Sequence, residues 1–148
     1  MANYYSTELG GSANQTAIPT GRKPNGTVYN ARLKRLRGTF TFNTQTTSDT
    51  LQVGTIPSGA TFAFGAITTD TSTSTATLAV GTSASTAKYK AAGAVTTTDV
   101  PQLFGKQAVV GAADPGLSAD ETVIVTIGTA SLPASGTMTV DLYYSIAN

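Results

Sequence analysis

The sequence predicts an all-β fold, an antiparallel β-sandwich or jelly-roll body over residues 32–148 behind an extended N-terminal arm over residues 1–31. Three observations predict it. Apolar and polar residues alternate with a period of two in one short segment after another. Gly, Pro, Ser and Asn punctuate the chain between those segments. No window of helical length carries an apolar stripe at helical spacing.

The elements follow in order. In the arm, Gly10, Gly11, Pro19, Gly21, Pro24 and Gly26 break any apolar period, while Tyr4, Tyr5, Leu9, Ile18, Val28 and Tyr29 are spaced along it. A purely solvating tail has no use for such anchors, so the arm is expected to order on a partner. A first strand follows, with Leu36, Gly38, Phe40 and Phe42 alternating with Arg35, Arg37, Thr39 and Thr41. Leu51 and Val53 mark a second, closed by the turn Pro57-Ser58-Gly59. Phe62 and Phe64 alternate with Thr61, Ala63 and Gly65 in a third, which puts both rings on one face. The Thr/Ser tract 68–77 lies between two strands and is expected to be a hairpin loop with strand ends.

Leu78 and Val80 face one way in a fourth strand, with Thr75 and Thr77 opposite. Lys88-Tyr89-Lys90-Ala91 reads as a short strand whose charged face lies in water. Segments 94–98 and 106–110 are weaker strand candidates. Val123, Val125 and Ile127 alternate with Thr122, Ile124 and Thr126, and apolar or small residues on both faces point to a central strand. Met138, Val140, Leu142, Tyr144 and Ile146 alternate with Thr137, Thr139, Asp141, Tyr143 and Ser145. The short connector 131–136 predicts that these last two strands pair as a hairpin.

The 148 residues are one ordinary domain, a size at which folding buries about 70% of the extended-chain surface without a disulfide or metal staple. The chain contains no His and no Cys. Those are the side chains most used near neutral pH for proton transfer, nucleophilic attack and transition-metal binding. A binding or structural protein is therefore expected before an enzyme, with no cofactor and no metal. Charged residues make up 11%, against about 25% in typical soluble domains. A Thr-rich surface of this kind suits faces covered by neighbours.

The charge is unevenly placed. Arg22, Lys23, Arg32, Lys34, Arg35 and Arg37 are six of the nine basic residues. Residues 1–38 carry a net +5 and residues 39–148 a net −4. The acidic body repels phosphate, so direct nucleic-acid binding is not expected, and a protein partner with carboxylates fits the basic segment better. No basic leader followed by an apolar run stands at the start, and no apolar stretch approaches the roughly 20 residues that span a bilayer. Export by that route and a membrane partner are not expected.

Asp49, Asp70 and Asp99 each sit beside Ser or Thr near a turn and are expected to cap turns or strand ends. Asp114, Asp120 and Glu121 crowd the loop 114–121. Three acids in a loop raise calcium ligation, but the alternating ligand spacing of a calcium loop is absent. Ser118 with Glu121 fits a capping box on one helical turn, which is the preferred reading. No spacing suggests facing carboxylates for glycoside hydrolysis.

Several segments stand out together: Tyr4-Tyr5-Ser6-Thr7-Glu8-Leu9, Arg37-Gly38-Thr39-Phe40-Thr41-Phe42, Ile56-Pro57-Ser58-Gly59-Ala60 and Ala87-Lys88-Tyr89-Lys90-Ala91-Ala92. Ser131-Leu132-Pro133-Ala134-Ser135-Gly136-Thr137 and Asp141-Leu142-Tyr143-Tyr144-Ser145 complete the set. In this layout the chain resembles head decoration, or cement, proteins of tailed bacteriophages. The resemblance implies a non-catalytic protein assembled in the host cytoplasm and seated on the outer capsid surface of the virion. Its implied partners are the major capsid protein and itself, as a homotrimer, with an arm across the junctions between capsid subunits. The residues expected to touch the partner are Tyr4, Tyr5, Arg22, Lys23, Arg32, Lys34, Arg35 and Arg37. A phage neck or tail protein shares these features. A carbohydrate-binding β-module would need an aromatic platform, for which Tyr143 is the outward candidate.

Overall fold

Alternation of apolar and polar residues drives eight strands in the computed structural model, which describes residues 32–105 and 116–146. They are β1 (Leu33–Thr41), β2 (Thr50–Ile56), β3 (Ala60–Thr69), β4 (Thr77–Gly81), β5 (Lys90–Gly93), β6 (Gln102–Phe104), β7 (Glu121–Gly128) and β8 (Thr137–Ile146). Two four-stranded antiparallel sheets form, in the orders β1-β8-β3-β6 and β2-β7-β4-β5. Every strand-to-strand connection passes from one sheet to the other except β4 to β5. This is the strand order of a jelly roll. The arm and the candidate strand 106–110 lie outside the described residues.

The core lies between the sheets. β8 contributes Met138, Val140 and Leu142, and β7 contributes Val123, Val125 and Ile127, none more than 1% exposed. Both strands are central in their sheets, as the apolar faces of β7 foretold. Phe62 of β3 meets Tyr89, which precedes β5, at 4.5 Å between ring centroids and so joins the two sheets.

Four sequence expectations fail here. The last two strands do not pair, because β7 and β8 lie in different sheets. The tract 68–77 is likewise a crossover from β3 to β4 and not a hairpin loop. A connector of a few residues spans the roughly 10 Å between sheets as readily as it turns a hairpin, so its length decides neither case. Segment 94–98 forms no strand, although Val95 is fully buried in it. Phe62 and Phe64 do not share a face. The β3–β8 register shifts between them, leaving Ala63 as the extra residue of a bulge, and Phe64 turns outward.

Candidate functional site

The outer face of the β1-β8-β3-β6 sheet gathers the charged and aromatic residues most able to bind a partner. Strand register sets its rows. Arg35 lies beside Tyr143, and Tyr143 beside Phe64. In the next row Arg37, Asp141, Ala66 and Leu103 stand side by side across all four strands. Leu33 flanks these rows toward one end, opposite Ser145. Toward the other end the same face is threonine, with Thr39, Thr139 and Thr68 in one row and Thr41 with Thr137 in another.

Asp141 organises the face. It sits on the central strand with its side chain 12% exposed. Arg37 donates to it through Nε at 2.7 Å and Nη2 at 2.6 Å, a two-bond fork that fixes the guanidinium plane. Arg35 Nε stands 4.0 Å from the same carboxylate. The bond to Asp141, and then its charge, raise the Arg37 pKa above the ordinary value, so this cation is permanent. Phe64 stacks on Tyr143 with centroids 4.6 Å apart and planes 18° from parallel. That stacking closes one ring face of Tyr143 to a sugar.

The sequence-derived partner residues fall into two groups. Arg35 and Arg37 share the outer face, as strand parity required, and Lys34 belongs to the opposite parity, beside Tyr144 at the sandwich end. Arg32 is exposed just before β1. Tyr4, Tyr5, Arg22 and Lys23 lie outside the described residues. Sequence reasoning missed Leu33, Phe64 and Leu103 as members of this surface. The parity of β8 did place Asp141 and Tyr143 outward together, which was the available signal.

A second polar cluster closes the other sheet. Glu121, at the start of β7, accepts from the Tyr89 hydroxyl and from Lys88 Nζ. Burial, and then the Glu121 bond, push the Tyr89 phenol far above its ordinary range, so it stays neutral. Lys90 does not lie free in water. Its Nζ donates to the carbonyls of Leu78 at 3.0 Å and Ala91 at 3.2 Å, and burial lowers its pKa. Of the face expected to be wet, Lys88 is exposed while paired with Glu121, and Lys90 instead clamps β5 to β4.

The acidic residues act mainly as caps. Asp49 accepts from the Thr46 backbone N–H at 2.6 Å, and Asp70 from the Thr137 N–H at 2.7 Å. Asp99 instead occupies left-handed backbone at φ 58° and donates its own N–H to Thr69. The preferred capping box fails, because Glu121 begins a strand and no helix exists among the described residues. Asp120 accepts from the Ser58 N–H at 2.8 Å. Asp114 lies outside the described residues. Among the described residues no three acidic side chains gather as metal ligands.

No protein-family model matches this chain, and no curated protein matches it. Solved structures do. The chain is similar to one in the cyanophage Pam1 capsid asymmetric unit, at 19% identity and a TM-score of 0.64, over 88% of this chain and 96% of that one. It is similar to one in the capsid of Ralstonia phage GP4, at 15% identity and 0.58, over 88% and 93%. A third similar chain belongs to the acidic stable capsid structure of Helicobacter pylori bacteriophage KHP30, at 13% identity and 0.55, over 78% and 89%. At these identities the likeness is one of fold.

Proposed function

We propose that this protein is a structural component of a tailed-phage virion. It binds the outside of the capsid and stabilises contacts between major capsid protein subunits, without catalysis. One observation carries the reading: the fold matches chains of phage capsids over 89% to 96% of their own length. The likeness therefore takes in those chains nearly whole, and they are of about this chain's size. A small jelly roll added to a shell suits that role, since many modest contacts repeated by symmetry give avidity without a strong single site. In this reading the protein assembles as a homotrimer in the host cytoplasm and ends on the capsid surface. Tyr4, Tyr5, Arg22 and Lys23 of the arm and Arg32, Lys34, Arg35 and Arg37 of the basic segment touch the shell.

The test is to titrate empty shells of the parent phage with the purified protein and count bound copies. Saturation at a copy number matched to the shell's symmetry is expected, with a rise in the shell's melting temperature. Absence of saturable binding refutes the reading. Deleting residues 1–30 should leave the body folded and weaken attachment strongly; unchanged attachment removes the arm from the mechanism.

A further inference from the structure

We propose that the outer face of the β1-β8-β3-β6 sheet is the docking surface, and that its occupant is a capsid-shell protein surface presenting carboxylates within an apolar patch. The inference rests on the reading of the protein as a shell-bound structural protein and adds where and by what chemistry it attaches.

The exposed large hydrophobic residues among those described are Leu33 at 56%, Phe64 at 38%, Val100 at 50% and Leu103 at 74%. All but Val100 stand on this one face. The face also contains its own comparison. Its rows toward Thr41 and Thr137 are threonine, the surface expected of a sheet that faces water. The rows from Leu33 to Leu103 carry leucines, a stacked aromatic pair and two arginines instead. The same strands thus hold a solvated half and a half with the composition of an interface centre, where aromatic residues and arginine concentrate.

Charge selects the occupant. Asp141 supplies one negative charge against Arg35 and Arg37, whose side chains are 52% and 48% exposed. Lys34, on the opposite parity of β1, and Arg32, just before the strand, add to the positive field at this edge rather than to the face itself. Arg37 is held by its fork, so little freedom remains to be lost when a partner carboxylate arrives. The aliphatic stems of both arginines border the apolar rows and can pack under a partner. A second copy meeting this face through its own equivalent would bring two surfaces of net positive charge together, each with two arginines against one aspartate. A carboxylate-bearing partner meets no such conflict. Nucleic acid would need aromatic faces free to stack on bases, and Phe64 and Tyr143 stack on each other.

The test compares wild type, Arg35→Glu, Leu103→Glu, Leu103→Ser and the threonine-half control Thr39→Glu. Each is checked for melting temperature and solution mass, then titrated onto empty shells. Arg35→Glu and Leu103→Glu should each weaken shell binding at least tenfold, Leu103→Ser several-fold, and Thr39→Glu less than twofold. Wild-type affinity should fall as salt rises. Failure of the wild type to bind shells overturns the functional reading itself. Wild-type binding that the Arg35 and Leu103 variants reproduce overturns this inference and leaves that reading standing. Variants that lose solution mass but keep shell binding assign the face to self-assembly, which also overturns the inference.

Discussion

Glu121 should couple to Tyr89 by more than an exposed ion pair can supply. The perturbation is a double-mutant cycle with Glu121→Ala, Tyr89→Phe and the pair. Tyr89 is 5% exposed and donates its hydroxyl to Glu121, so Glu121→Ala orphans a buried donor. That costs about 1–3 kcal/mol. The same change frees Lys88, whose side chain is 37% exposed, and removes at most about 1 kcal/mol more. Tyr89→Phe deletes the donor while Lys88 still engages the carboxylate, so a loss near 1 kcal/mol is expected. The double variant has nothing left to orphan, and a coupling of about 1–2 kcal/mol should appear. Urea unfolding followed by far-UV circular dichroism gives all four stabilities, with the slope expected to stay constant. Single losses that add to the double within about 0.3 kcal/mol refute the clamp. The alkaline titration gives a second readout. The Tyr89 pKa is raised above 10.0, chiefly by burial and then by Glu121. The stability this phenol contributes is therefore present below pH 10 and lost as pH rises past it toward the folded value. Absorbance of tyrosinate should show Tyr89 ionising only with unfolding.

Two further outcomes follow from the backbone. A Cβ at Gly81 would stand 2.1 Å from the Ser85 carbonyl oxygen and 2.6 Å from the Thr86 carbonyl carbon, both backbone atoms. Gly81→Ala must therefore open the turn in which the Thr82 N–H bonds Ser85, with an expected cost of about 1–3 kcal/mol in the same urea assay; wild-type stability would count against the turn. Asp70 accepts the Thr137 backbone N–H and the Thr71 hydroxyl, which hold its carboxyl below the ordinary 3.8. Its charge contributes stability in full above pH 3.8 and loses it as pH falls through the depressed folded value. The wild-type advantage over Asp70→Asn should shrink over that acid window, and an advantage constant through it would refute the assignment.

Much of the sandwich was legible because burial has a period of two. The inward sets of β1, β4, β7 and β8 are the apolar sets that alternation marks out, such as Val123, Val125 and Ile127. Alternation reports which side of a strand is buried and is silent on which sheet the strand joins. β7 and β8 look like a hairpin for that reason, although each pairs with other strands as the centre of its own sheet. The candidate site shows the same division. Arg35 and Arg37 stand out as local charge, while their anchor, Asp141, is 104 residues from Arg37 along the chain. Leu103 belongs to a strand of only three residues, too short to show a period.

The bulge at Ala63 connects these points. A regular strand would hold Phe62 and Phe64 on one side, and the segment Phe62-Ala63-Phe64 carries no Gly or Pro to announce a break. The extra residue reverses the parity of everything after it. Ahead of the bulge, Phe62 packs inward on Tyr89 and Phe104. After it, Phe64 stacks outward on Tyr143, while Gly65 and Ile67 turn to the core. Gly65 belongs at that point, since a Cβ there would stand 2.3 Å from the Phe104 ring and 2.8 Å from the Asp141 carbonyl oxygen. One inserted residue thus supplies the sandwich with an inter-sheet ring contact and the outer face with its aromatic centre. A strand without it could give only one of the two, so the aromatic character of the docking face is a consequence of how the core is closed.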